Sequence, residues 1–115
     1  MQVDGGDDND SLLGEAGNDT ILGGNGTDVI SGGTGNNSLS GGAGNDTFIG
    51  GTGVDTMDGG TGIDIIDYSA STSGVTVHLG SNVVSGGDAA GDVVSNIDGI
   101  TGSAFADTLV GFDTM

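Results

Sequence analysis

The sequence contains no lysine, no arginine, no cysteine and no proline, and only 3% of its 115 residues are aromatic. Without cysteine, disulfide bonds and thiolate metal sites are excluded. Without basic residues, the chain lacks the positive patches through which proteins bind nucleic acids and anionic membranes, so neither is expected as a partner. With 33% apolar residues, a broad core of large side chains cannot form, so some of the stability must come from another source.

Long apolar segments are lacking as well, and no run of the sequence is long enough to cross a bilayer. The first residues, MQVDGGDD, show neither the basic nor the apolar region of a cleavable secretion signal. We therefore expect no membrane insertion and no signal of that kind in these residues.

Glycine and negative charge are abundant. The 17 acidic residues face no basic residue, which gives a formal net charge of -17, and 27 residues are glycine. No salt bridge to lysine or arginine can neutralise the carboxylates, so they require an external cation. The glycine content alone would suit a flexible linker, but the apolar residues recur on a strict period, which is typical of ordered structure.

The period is nine residues. Seven contiguous nonapeptides fill residues 5–67 without a register slip, residues 1–4 fit the last four places of an earlier copy, and GSAFADTLV (102–110) is a later, looser copy. The seven are GGDDNDSLL (5–13), GEAGNDTIL (14–22), GGNGTDVIS (23–31), GGTGNNSLS (32–40), GGAGNDTFI (41–49), GGTGVDTMD (50–58) and GGTGIDIID (59–67).

Each nonapeptide divides into a turn and a strand. Glycines in its first six places suit tight turns and positive φ, and its last three places predict a short strand whose middle residue points inward. Turns and strands at this spacing indicate an all-β fold, a flattened parallel coil with two repeats per circuit and strands about 4.8 Å apart. The inward residues are Leu12, Ile21, Ile30, Leu39, Phe48, Met57 and Ile66.

Stacked circuits place the sixth residues of alternate repeats above one another. Unit charges about 4 Å apart repel by about 4 kcal/mol at a protein surface, so several such pairs rival the ~5 to 15 kcal/mol stability of a domain. A divalent cation between circuits would turn this repulsion into coordination, and oxygen ligands favour Ca²⁺ over Mg²⁺ or Zn²⁺. The two predicted columns are Asp10, Asp28, Asp46 and Asp64 on one edge and Asp19, Asn37 and Asp55 on the other.

The repeats resemble the GGxGxDxUx nonapeptides of the RTX family, and seven copies in register make the resemblance specific. It implies a parallel β-roll, a right-handed β-solenoid, that stays unfolded in the low-calcium cytosol and folds after type I secretion. It also implies a secreted or cell-surface location. Because RTX modules accompany toxins, proteases, lipases, adhesins and epimerases, the resemblance does not name this protein's own activity.

Carried over place by place, the resemblance implies about five internal calcium sites. Asn37 replaces an aspartate and should weaken binding on its edge, while Glu15 and Asp8 replace glycines and predict a distorted or frayed first end. The implied ligand residues are Asp10, Asp19, Asp28, Asn37, Asp46, Asp55 and Asp64, with backbone carbonyls of Gly24, Gly26, Gly33, Gly35, Gly42, Gly44, Gly51, Gly53, Gly60 and Gly62.

Beyond residue 67 the period fades. We divide the chain into the repeat roll at 1–67, a degenerate solenoid extension at 68–101 and a truncated return to the repeat at 102–115. In GVTVHLG, alternation places Val75, Val77 and Leu79 on one face, which predicts a longer strand that continues the solenoid. Asp107 is a further candidate calcium ligand. Asp88 and Asp92 could also add sites, although solvated acidic turns are the preferred interpretation of these two.

Catalysis is not predicted. His78 is the only histidine, and neither a nucleophile nor an orienting group stands at a recognisable spacing from it. The predicted function is a calcium-dependent structural module that folds and stiffens when Ca²⁺ binds between circuits.

Three alternatives stay open. One is a surface-recognition solenoid of the adhesin or ice-binding type, whose surface ligand is unknown. The second is a self-assembling filament subunit, since residues 111–115 and 1–4 together complete one nonapeptide and would allow end-to-end association. The third is a non-catalytic appendage of a secreted enzyme or toxin.

Overall fold

The computed structural model describes residues 1–79 and 83–110, which include thirteen short strands and a turn of 3-10 helix at Gly87–Ala89. The strands are β1 Gln2–Asp4, β2 Ser11–Leu13, β3 Thr20–Asn25, β4 Val29–Ser31, β5 Ser38–Ala43, β6 Thr47–Ile49, β7 Thr56–Asp58, β8 Ile65–Asp67, β9 Thr76–His78, β10 Val83–Ser85, β11 Val93–Ser95, β12 Gly99–Thr101 and β13 Thr108–Val110. The self-association prediction also involves residues 111–115, which lie outside the described residues.

Successive strands alternate between two parallel sheets. One sheet has the order β1-β3-β5-β7-β11 and the other β2-β4-β6-β8-β12. Within each sheet of the repeat region, partners are 18 residues apart, as in Ile21 beside Leu39 and Ile30 beside Phe48. Two nonapeptides therefore complete one circuit, and the predicted all-β parallel roll is confirmed.

In the repeat region, the core lies between the two sheets. Each repeat contributes its eighth residue, and the sheets are held together because these residues stack on one another as well as across the gap. Leu12, near the first end, is partly buried. The six eighth-place residues that follow are at most 1% exposed: Ile21, Ile30, Leu39, Phe48, Met57 and Ile66.

The first circuit is regular, so the predicted distortion at Glu15 and Asp8 is wrong. Both residues take the positive φ of the glycines they replace, 74° in each case. A β-carbon on Gly33, one circuit beyond Glu15, would collide with the Glu15 carbonyl oxygen. The Glu15 side chain is exposed to solvent, so it fits there despite the strained φ.

Strand β1 completes the same pattern. It pairs in parallel register with β3, with Val3 beside Ile21, as the fit of residues 1–4 to an earlier repeat predicts. The amino group of Met1 lies 3.0 Å from Asp19 Oδ1. In the other circuits of the repeat region, the backbone N–H of a sixth-place residue takes this position against Oδ1.

The later circuits are longer because they gain a third face. After β7 and β8, the chain forms β9, and in the next circuit β11, β12 and β13 stack in parallel on β7, β8 and β9 respectively. Partners are then 37, 34 and 32 residues apart, as in Thr56 beside Val93, Ile65 beside Gly99 and Thr76 beside Thr108. The predicted longer, less regular coils are confirmed.

Strand β9 has the alternation that its sequence predicts, but it covers only Thr76–His78, so the prediction of a longer strand is wrong. Val75, Val77 and Leu79 are buried, whereas Thr76 and His78 are half-buried on the opposite face. The hairpin partner was not predicted: β10 pairs antiparallel with β9, with Val84 beside Val77. Together β10, β9 and β13 form a separate three-stranded sheet.

Candidate metal sites

Each aspartate in the sixth place immediately precedes a strand, and its carboxylate contacts the preceding circuit. The backbone N–H of Asp28, for example, donates to Oδ1 of Asp46 at 2.9 Å, and the same bond joins successive sixth residues along both edges. The predicted columns therefore form. We call them the all-aspartate edge (Asp10, Asp28, Asp46 and Asp64) and the Asn37 edge (Asp19, Asn37 and Asp55).

The second oxygen of each of these aspartates is buried without a partner. Asp28, Asp55 and Asp64 are 0% exposed, and their Oδ2 atoms make no hydrogen bond. A buried carboxylate oxygen without a donor is costly, because the water it has lost is not replaced. The residues with such an Oδ2 atom are Asp10, Asp19, Asp28, Asp46, Asp55 and Asp64.

The Oδ2 atoms face backbone oxygens across a narrow space beside the first glycine of each repeat. A β-carbon on Gly23 would lie 2.6 Å from both Asp28 Oδ2 and the Gly41 carbonyl oxygen of the next circuit. A side chain at this place would fill the cradle between the two oxygens. The first-place carbonyls near Oδ2 atoms, such as those of Gly23 and Gly41, were missed by sequence reasoning, which assigned ligand carbonyls to the second and fourth places.

The carbonyls of the second-place glycines point along the stack. The Gly42 oxygen accepts the N–H of Thr61 at 2.9 Å, and the Glu15 oxygen accepts that of Thr34 at 2.8 Å. These predicted ligand carbonyls therefore already hold the circuits together, and each retains one lone pair for another partner. The fourth-place carbonyls also approach the next circuit, because a β-carbon on Gly44 would collide with the Gly26 oxygen.

Burial raises the pKa values of four carboxylates in the later circuits. Loss of water raises the pKa of Asp64 to about 6, and the neighbouring charges of Asp46 and Asp98 reinforce the shift. Burial also raises the pKa values of Asp55 and Asp92 to about 6 and raises that of Asp46. A bound cation would oppose all four shifts, because it favours the ionised form.

Asn37 takes the same position as the aspartates but presents different atoms. Its Oδ1 accepts the N–H of Asp19 at 2.9 Å, whereas its Nδ2 donates to Asp55 Oδ1 at 3.0 Å and to the Gly35 carbonyl at 3.3 Å. The Asp19 N–H fixes the orientation of the amide, since only the oxygen can accept it.

Two aspartates outside the nonapeptides extend the columns. Asp92 Oδ1 accepts the N–H of Asp55 at 2.8 Å, and Asp98 Oδ2 accepts the N–H of Asp64 at 2.9 Å. Asp92 is only 6% exposed, so the solvated-turn interpretation is wrong for this residue. In both cases an aspartate lies two residues before an apolar strand residue, Val94 or Ile100, and this spacing could have indicated them.

Three further residues discussed from the sequence, Asp107, Asp88 and His78, lie outside the two edges. On the third face, Asp107 Oδ1 accepts the N–H of Val75 at 2.9 Å and the hydroxyl of Ser103 at 2.6 Å, and these bonds lower the pKa of Asp107. Asp88 is half-buried, and its N–H donates to Ser71 Oγ. His78 is half-buried in β9.

Across residues 1–79 and 83–110, no three carboxylate or imidazole groups converge on one point. A cation at either edge would therefore be held by carboxylate oxygens together with backbone carbonyls. Such an all-oxygen, flexible donor set suits Ca²⁺ and is unsuitable for Zn²⁺. The residues present thus fit calcium, with the unpartnered Oδ2 atoms as its anionic ligands.

Fold and site together define a class: parallel β-roll proteins built from nonapeptides with stacked aspartates between circuits. The RTX calcium-binding nonapeptide repeat, in four-copy units, matches residues 4–39 and 31–66, and the chain belongs to this family. Repeats of this family bind calcium in general, are generally structural rather than catalytic, and are typical of secreted bacterial proteins. The comparison with curated proteins gave no match.

Among the residues that the structure describes, no helix is long and apolar enough to span a membrane.

Proposed function

We propose that this chain is a calcium-dependent structural module, in which Ca²⁺ binds between circuits through the sixth-place aspartates and thereby folds and stiffens the roll. The observation that carries the proposal is the set of six buried Oδ2 atoms without a hydrogen-bond donor. The family supplies the identity of the ion. The proposed ligands are these carboxylates and the glycine carbonyls that approach the next circuit.

Calcium dependence of folding follows from charge. The chain has no basic side chain to neutralise its carboxylates, and in the roll they lie one above another. In the unfolded chain the same groups are hydrated and far apart, so the folded state without cations carries a penalty that the unfolded state avoids. An ion that binds only the folded roll at about a hundred times its dissociation constant adds ~2.7 kcal/mol per site.

In a cell, folding would depend on where the chain is, because calcium concentration differs between the cytosol and the exterior. At the low calcium concentration of the cytosol the sites are empty and the chain remains unfolded, which suits passage through a secretion channel. In a calcium-rich exterior the sites fill and the roll forms. Calcium release would then reverse folding, because the binding free energy is also folding free energy.

Calcium titration followed by far-ultraviolet circular dichroism tests the proposal. We expect a disordered spectrum in excess chelator, a strand spectrum at millimolar calcium, and no comparable change with magnesium, whose octahedral demand the flexible edge does not meet. Strand signal that is complete in chelator and unaltered by calcium would refute it.

A further inference from the structure

The two edges of the roll differ in where they hold hydrogen-bond donors. On the all-aspartate edge, the Oδ2 atoms of all four residues are buried without a partner. On the Asn37 edge, two side-chain donors reach carboxylates: the Asn37 amide and the Tyr68 hydroxyl.

The Asn37 amide nitrogen occupies the cradle that Oδ2 occupies elsewhere. A β-carbon on Gly32 would lie 2.7 Å from Asn37 Nδ2 and 2.8 Å from the Gly50 oxygen. A β-carbon on Gly23 would lie in the same way between Asp28 Oδ2 and the Gly41 oxygen, at 2.6 Å from each. Both hydrogens of this nitrogen point at oxygens, those of Asp55 and Gly35. A cation cannot share that place, because the amide nitrogen has no lone pair to offer and its hydrogens carry positive charge.

Tyr68 has the corresponding role in the circuit that follows. Its hydroxyl donates to Asp92 Oδ2 at 2.9 Å, while Asp92 Oδ1 accepts the N–H of Asp55. Asp92 therefore differs from the six aspartates with unpartnered Oδ2 atoms in having both oxygens satisfied. Tyr68 is 2% exposed, so this bond lies within the core and away from competing water.

We infer that Asn37 and Tyr68 replace a bound cation at two levels of the Asn37 edge, so that calcium dependence is concentrated on the all-aspartate edge. This inference rests on the proposed calcium function. The Asn37 edge would hold fewer ions than its stacked repeats imply. Its circuits would be joined on one edge by metal and on the other, at these levels, by hydrogen bonds that need no metal.

Asn37 and Asp46 form a matched pair for testing this asymmetry. Each is an interior member of its column with a sixth-place neighbour on either side, Asp19 and Asp55 for one and Asp28 and Asp64 for the other. The two single variants are Asn37→Asp and Asp46→Asn. Each replaces one side-chain heavy atom, nitrogen by oxygen or the reverse, and leaves in place the backbone N–H bond that Oδ1 accepts.

The first measurement is the number of calcium ions bound at saturation, counted by native mass spectrometry. We expect Asn37→Asp to bind at least one ion more than the wild type, and Asp46→Asn to bind at least one fewer. Equal ion numbers in the wild type and Asn37→Asp would overturn the inference while leaving the calcium function intact.

The second measurement is the strand signal in excess chelator at pH 7, with the osmolyte trimethylamine N-oxide added so that the metal-free wild type is partly folded. We expect Asp46→Asn to retain more strand signal than the wild type and Asn37→Asp to retain less, because the first gains a donor and the second loses one. If none of the three proteins binds calcium, the proposed function fails, but the order of the three signals still tests the hydrogen-bond replacement. The reverse order would contradict it.

Discussion

The backbone N–H of Asp28 donates to Oδ1 of Asp46, 18 residues later, at 2.9 Å, and both aspartates keep a buried Oδ2 without a donor. One oxygen of each carboxylate thus joins successive circuits, while the other has no partner and is the proposed calcium ligand. The same side chain therefore sets the register of the roll and makes its stability depend on what surrounds it.

The cation-free roll should become more stable as the pH falls. Burial raises the pKa values of Asp55, Asp64 and Asp92 to about 6, so the folded chain holds protons more tightly than the unfolded chain. Their contribution is full below the ordinary value of 3.8 and is lost as the pH rises through about 6. Circular dichroism of the chain in chelator checks this, and the strand signal should rise as the pH is lowered from 7 to 4.

Saturating calcium provides the contrast for the pH series. The bound ion favours the ionised carboxylates and protons compete with it, so in calcium the stability should fall as the pH falls through the ordinary carboxylate range. Asp107 acts in the same sense below pH 3.8, since its pKa is lowered. Parallel slopes in chelator and in calcium would contradict the assignment of these carboxylates as ligands.

Phe48→Ala should destabilise the calcium-loaded roll by about 3 to 5 kcal/mol, because it removes a fully buried ring from the core. Phe105→Ala is the matched control: Phe105 is 55% exposed, and its loss should cost less than about 0.5 kcal/mol. Urea unfolding in saturating calcium compares the two, and similar costs would be inconsistent with the described core.

Gly24→Ala should cost at least about 2 kcal/mol more than Gly6→Ala. Both glycines have positive φ, 96° and 85°, so both substitutions carry the left-handed strain of about 1 kcal/mol. Only at Gly24 would the new β-carbon also collide with a backbone oxygen, that of Gly6; around Gly6 the space is open. Calcium-loaded unfolding midpoints test the difference, and equal costs would refute close stacking of circuits.

Tyr68→Phe should destabilise the roll by about 1 to 3 kcal/mol, because it leaves Asp92 Oδ2 buried without a donor. Burial and the Asp92 charge raise the pKa of Tyr68 well above its usual range, so the hydroxyl remains a donor at neutral pH. Chemical unfolding of Tyr68→Phe in wild-type and Asp92→Asn backgrounds forms a double-mutant cycle. A cost that is unchanged by Asp92→Asn would show that the hydrogen bond is not its source.

The repeat region could be predicted from its sequence because a constant interval along the chain sets which residues pair. A strict nine-residue period places Ile21 beside Leu39 and Asp28 beside Asp46 once two repeats make a circuit. Asn37 was also recognised as the odd member of its column. What its amide does there was not predictable, since that depends on which oxygens lie within 3.3 Å of Nδ2.

The region after residue 67 was less predictable because its strand partners are no longer set by a constant interval. Asp92 shows the difference: its sequence setting is that of an exposed acidic turn, yet it is buried beneath Tyr68 and continues a column that started 73 positions earlier at Asp19. The hairpin of β9 and β10 and the third face likewise depend on contacts between segments with unrelated sequences.

The sequence by itself determined the nonapeptide turn, the inward apolar residue and the stacked carboxylates, because each follows from local periodicity. The lack of any basic side chain is what led to the prediction of a bound cation. Only the tertiary structure decided which carboxylate oxygens are left without a donor, and that Asn37 and Tyr68 supply donors on one edge. The reason is geometric: hydrogen-bond satisfaction depends on the positions of individual atoms in neighbouring circuits, which a repeat period does not specify.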